Sequence, residues 1–190
     1  MNRNKRTDYV KNLVLAAMFL ALGLALPFLT GQIPQVGAMM LPMHLPVLLC
    51  GLLCGWPYGL FCGIAGPVVS SLLSGMPAPA MLVYMVPELC VYGLAAGLGM
   101  RLLHTGRTTA DLYLALIPAM LLGRVAGGLA RALFYLSTAK SYSLALWASA
   151  YLVETLPGAI LQLILLPIIT LTLTKARLIP ERYPGRVSAV

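Results

Sequence analysis

Four ionisable residues, Glu88, Arg124, Arg131 and Glu154, sit inside stretches that are otherwise apolar. A charge held at the middle of a bilayer is costly, so such residues mark a functional site by default. The chemistry they suit is recognition rather than bond making. Arginine offers planar donors, a carboxylate accepts from N–H groups, and tyrosine stacks on a ring. The spacing gathers them. Arg124 and Arg131 are seven residues apart and share one helical face, which Tyr135 extends. Tyr84, Glu88 and Tyr92 recur every four residues and form a second stripe. Two arrangements fit this pattern: Glu88 and Glu154 pair with Arg124 and Arg131 as structural ion pairs, or the same groups line a water-accessible pocket. Gln32, Gln35, His44 and Ser71 complete the candidate binding set. The two glutamines lie in a polar connection, His44 stands at the pocket mouth or the membrane interface, and Ser71 belongs to a small patch with Ser70 and Ser74.

Other chemistries find no support. The four cysteines fall in apolar runs, where Cys acts as a small hydrophobe. The two histidines, His44 and His104, are far apart, and no HExxH or Cys/His cluster suggests a metal. There is no GxSxG elbow and no Gly-rich Lys-Ser/Thr loop for ATP. No cofactor is expected in this chain.

The positioning elements follow from composition. The 190 residues are 60% hydrophobic and 9% charged, against about 25% charged in soluble domains. Lipid is therefore the solvent, and continuous apolar runs favour helices over a barrel. Six spans are expected, near Asn12–Leu29, His44–Trp56, Tyr58–Leu73, Pro79–Leu103, Leu112–Leu136 and Leu144–Leu173. The second and third are short; they read as a tight hairpin, a tilted pair or one broken helix. Pro157 and Pro167 predict a kink or tilt in the last. The first run follows Arg3, Lys5 and Arg6 but is too long for a signal-peptide core, so it reads as a retained helix. The fold class is an all-α membrane protein of six transmembrane helices, forming one domain over residues 1–190 with basic ends at 1–11 and 175–190.

The net charge of +8 is unevenly placed. Arg3, Lys5, Arg6 and Lys11 precede the first span, Arg101 and Arg107 lie between the fourth and fifth, and Lys175, Arg177, Arg182 and Arg186 follow the sixth. Lys140 alone falls on the other side. The positive-inside rule puts both termini in the cytoplasm. These charges are juxtamembrane, so anionic lipid explains them and nucleic acid is not an expected partner. In this orientation Glu88 lies about 13 Å down from the outer face.

Small residues repeat as well. Ala17, Ala21 and Ala25 make an AxxxAxxxA ladder on the first span, and Gly51, Gly55, Gly59 and Gly63 recur through the second and third. Such spacing lets helix backbones approach closely. Together with the run from Leu41 to Leu60 (LPMHLPVLLCGLLCGWPYGL), Pro67 to Pro77 (PVVSSLLSGMP), Glu88 to Leu94, Gly123-Arg124-Val125 and Pro157 to Gln162, the pattern resembles the substrate-binding S components of energy-coupling factor (ECF) transporters.

The resemblance implies a multi-pass protein of a prokaryotic cell membrane that binds a scarce micronutrient. It implies docking through Ala17, Ala21 and Ala25 onto a membrane coupling subunit, with two separate ATPase subunits supplying energy. The expected gate is the first outer connection, with its Met39, Met40 and Met43, and the turn between the third and fourth spans. The substrate is expected to be a nitrogen heterocycle, of queuosine/deazaguanine or B6 type, held by Glu88 or Glu154 and stacked on Tyr84 or Tyr92. A carboxylate vitamin such as pantothenate would lean instead on Arg124 and Arg131. The alternative class is a stand-alone proton-coupled transporter using Glu88 or Glu154 as carrier. An intramembrane enzyme ranks below both, for want of a nucleophile–base pair.

Overall fold

The computed structural model describes residues 3–30, 42–137, 149, 155–176 and 178–179. Among them are six helices and no strand: α1 (Arg3–Thr30), α2 (His44–Cys54), α3 (Trp56–Ser74), α4 (Pro79–Leu102), α5 (Thr108–Ser137) and α6 (Leu156–Lys175). Five are long and apolar enough to cross a membrane, and α2 is the shorter apolar one. The third span, expected to be short, is a full crossing of 19 residues. The sixth was expected from Leu144, whereas the described helix starts at Leu156 and the stretch before Thr155 lies largely outside the described residues.

The second and third spans form the tight hairpin. Gly55 alone joins them, at φ 96°, a left-handed backbone that suits a residue without Cβ. A Cβ on Gly59 would lie 2.7 Å from Gly51 Cα. Those residues are eight apart and would stand about 12 Å apart in one continuous helix, so the chain reverses at Gly55. The same Cβ would come within 2.5 Å of Gly93 O, and one on Gly63 within 2.5 Å of Leu89 O. The glycine repeat is therefore the contact surface of α2, α3 and α4. The three backbones nearly touch there, which is how small residues drive helix association in lipid.

Depth follows from the hairpin. With 11 residues α2 is about 16 Å long, roughly half the hydrocarbon core. Tyr9 and Tyr58 rings lie 6.3 Å apart, tying the base of the hairpin to the start of α1. At the other end Gly23 faces Pro46, where a Cβ would be 3.7 Å away. The start of α2 is thus level with the interior of α1, about 10 Å below its end at Thr30.

The turn between α3 and α4 is held by the serine patch. Ser70 and Ser71 hydroxyls donate to Met76 O (2.7 Å) and Pro77 O (2.8 Å), and Ser74 donates to Ser70 O (2.7 Å). Gly75 closes α3 at φ 71°. At the opposite end of the bundle, buried Asp111 organises the α4–α5 turn. Its Oδ1 accepts from Thr105 N–H (2.9 Å) and Thr105 Oγ1 (2.7 Å). Prolines inside α3, α4, α5 and α6 do not end those helices; neighbouring helices re-satisfy the freed carbonyls in membrane bundles.

Candidate functional site

The two stripes read from the sequence meet along α4 and α5. A Cβ on Gly123 would lie 2.9 Å from the Tyr92 ring, and one on Gly127 would lie 2.7 Å from Glu88 Oε2. One further step of four residues brings Arg131 over the Tyr84 ring, 5.1 Å from its centroid. Tyr92, Glu88 and Tyr84 thus pair with Gly123, Gly127 and Arg131 in an antiparallel ladder. The glycines are shelves: each leaves the room that its opposite side chain fills.

His44 joins this ladder from the first turn of α2. It is buried rather than interfacial, 4% exposed. Its Nε2 lies 3.5 Å from Glu88 Oε1, and its ring meets Tyr92 edge-on at 5.3 Å. That separation exceeds an ordinary hydrogen bond, and neither ring nitrogen of His44 has a hydrogen-bond partner. Among the described residues Glu88 therefore lies against His44, and the alternative in which Glu88 pairs with an arginine is not the arrangement.

Arg124 is buried on α5, and its Nη1 donates to Thr155 Oγ1 at the start of α6. Its Nη2 is buried with no hydrogen-bond partner. Arg131 differs. Its guanidinium stands over both Tyr84 and the Tyr135 ring, 5.7 Å from the latter, in a cation–π arrangement of about 0.5–2 kcal/mol per ring. Tyr84 is therefore covered by Arg131, and Tyr92 is only 1% exposed with one face on Gly123.

Ser71 is committed to the α3–α4 turn through its bond to Pro77 O. Gln32, Gln35 and Glu154 lie outside the described residues. So do Met39 and Met40, whereas Met43, expected in an adaptable lid, is buried in the core. The described residues contain no group of three or more His, Cys, Asp or Glu that could hold a metal. Sequence reasoning missed Thr155 and the 1%-exposed Gln162 of α6. Gln162 carries a weak signal as an amide in an apolar run; Thr155 carries none, since threonine is ordinary in membrane helices.

On α1 the buried face is Ala16, Phe19 and Gly23, while Ala17, Ala21 and Ala25 are all exposed. Around them Tyr9, Val10, Leu13, Val14, Met18 and Leu22 are exposed too. Among the described residues, the alanine ladder thus lies outside the packed face of α1.

The family model described as "ECF transporter, substrate-specific component" matches residues 11–170. The chain belongs to that family. This S component is accordingly a multi-pass membrane protein and a substrate-binding transport subunit, not an enzyme. Comparisons with curated proteins and with solved structures returned no match. Within the S component His44 and Glu88 meet in one buried contact, and Arg124 is buried on α5, the helix whose Gly123 and Gly127 face Tyr92 and Glu88.

Proposed function

We propose that this S component captures a small micronutrient at the cluster of His44, Glu88, Tyr92 and Arg124. The observation that carries the reading is polar incompleteness. Both nitrogens of His44 and Nη2 of Arg124 are buried without hydrogen bonds. A buried polar group without a partner costs about 1–3 kcal/mol, more when charged. A ligand that supplied those partners would recover that free energy on binding. Glu88 accepts from a ring N–H, and the two ring nitrogens of His44 can donate or accept. A nitrogen heterocycle of deazaguanine or B6 type has both kinds of group on one edge. Arg131, Tyr84 and Tyr135 form the outer wall, and Gln32, Gln35 and Glu154 remain candidates for closing the site.

Delivery proceeds by docking. The exposed Ala17, Ala21 and Ala25 give a flat stripe on which a helix of the coupling subunit can approach closely, with two ATPase subunits supplying energy. Both termini face the cytoplasm. Lys11, Arg101, Arg107 and Lys175 are exposed at helix ends that alternation of direction puts on one side, and the positive-inside rule makes that side cytoplasmic. The whole chain acts as one transmembrane domain in a prokaryotic cell membrane.

Thermal unfolding of the purified protein against a panel of vitamins and purines tests the reading. Stabilisation by a nitrogen heterocycle, lost in Glu88→Gln and His44→Ala, is expected. No response to any heterocycle sinks the substrate preference. Uptake by the chain alone in vesicles, without ATPase subunits, would favour a proton-coupled carrier instead.

A further inference from the structure

We infer that the Arg124 guanidinium and the first turn of α6 together hold an oxyanion of the substrate, a carboxylate or a phosphate. The inference rests on the substrate-binding reading of this cluster and adds a second recognition point to it. Arg124 is 6% exposed. Its Nη1 is spent on Thr155 Oγ1, and its Nη2 is buried with no hydrogen-bond partner. Both Nη atoms hang from one carbon, so Nη2 lies within a few ångströms of the same hydroxyl. A guanidinium presents its donors in a rigid plane matched to the two oxygens of a carboxylate or phosphate.

The hydroxyl it uses belongs to the N-cap of α6. A threonine there ordinarily accepts from the N–H of the second or third helical residue. Thr155 makes no such side-chain cap bond. Among the described residues the first bond of this helix runs from Ala159 N–H to Thr155 O at 3.0 Å. The N–H groups of Leu156 and Gly158 therefore precede the helical ladder, and Pro157 has none to offer. Gly158 is buried and carries no side chain to screen its backbone. The helix behind this turn has 20 residues, enough for the full positive end of its dipole. A cation with a vacant donor and a helix start that lacks a side-chain cap bond thus share one threonine, which is the composition of an anion site.

Among the described residues, neighbouring charges leave this role open. Glu88 lies against His44, and the guanidinium of Arg131 stands over the rings of Tyr84 and Tyr135. The substrate then has two poles, an N–H-bearing edge toward Glu88 and His44 and an oxyanion toward Arg124.

The test uses the full chain in detergent, with sodium acetate and sodium phosphate as probes against sodium chloride at equal ionic strength. At a concentration about five times its dissociation constant, an oxyanion bound to the native state should raise the melting temperature by about 2–4 °C. A rise with acetate or phosphate supports the inference, and the larger of the two names the oxyanion. The rise should vanish in Arg124→Gln and shrink in Arg124→Lys, which keeps the charge but not the planar fork. No rise in the wild-type protein overturns the inference. So does a rise undiminished in both variants when they elute like the wild type. The vitamin and purine panel reads Glu88 and His44 separately, so either result can fail without the other.

Discussion

Gly127 faces Glu88 so closely that a Cβ added there would stand 2.7 Å from the carboxylate Oε2 and 2.9 Å from its Cβ. The glycine on α5 therefore sets where the carboxylate of α4 can be. Gly127→Ala should push Glu88 away from His44. Overpacking of this kind costs about 1–3 kcal/mol. The expected result is a lower melting temperature together with at least tenfold weaker ligand binding, measured by calorimetry on the stabilising heterocycle. Unchanged affinity would remove Gly127 from the site.

His44 and Glu88 should act as a unit. A double-mutant cycle with His44→Ala and Glu88→Gln should give a coupling energy of about 0.5–3 kcal/mol in ligand binding, since contacting residues are not additive. Additive losses in that cycle would mean that the 3.5 Å approach carries no energy.

The glycines of the hairpin should divide sharply. A Cβ on Gly59 meets backbone, Gly93 O at 2.5 Å, with no flexible end to yield. One on Gly66 meets only Leu20 Cδ1 at 3.9 Å. Gly59→Ala should abolish accumulation of folded protein, while Gly66→Ala should be neutral or stabilising by up to about 1 kcal/mol. Fluorescence size-exclusion profiles of the two variants check this.

Ala21→Trp should stop ATP-driven uptake in cells that carry the coupling module, while ligand affinity of the purified protein stays within about twofold. Ala21 is exposed, so the new ring points away from the buried face of α1. Lost affinity would contradict the assignment of that face to docking.

Asp111→Ala should lower stability without touching recognition. It strips two donors on Thr105 of their acceptor, at 2.9 and 2.7 Å, for a loss of about 1–3 kcal/mol. A melting curve and a binding isotherm on the same preparation separate the two effects.

Much of this was legible in the chain. The apolar runs gave the helices, because lipid admits few other structures. Tyr84, Glu88 and Tyr92 were read as one stripe and do face one neighbour, since the period of a helix is fixed by its backbone. The alanines of α1 were read as a surface for another chain and are exposed.

Which groups meet across helices was not legible. Ion pairing of Glu88 with an arginine was as consistent with the sequence as its approach to His44, because periodicity fixes faces and not partners. The hairpin at Gly55 decided it: a half-length α2 starts deep in the bundle and delivers His44 to Glu88. Thr155 gave no signal at all, because its role lies in meeting Arg124, 31 residues away in sequence, at the start of another helix. Helix faces follow from local chain geometry, which the order of residues determines. The depth, register and contacts of those helices follow from how six of them pack, and only the tertiary structure decides that.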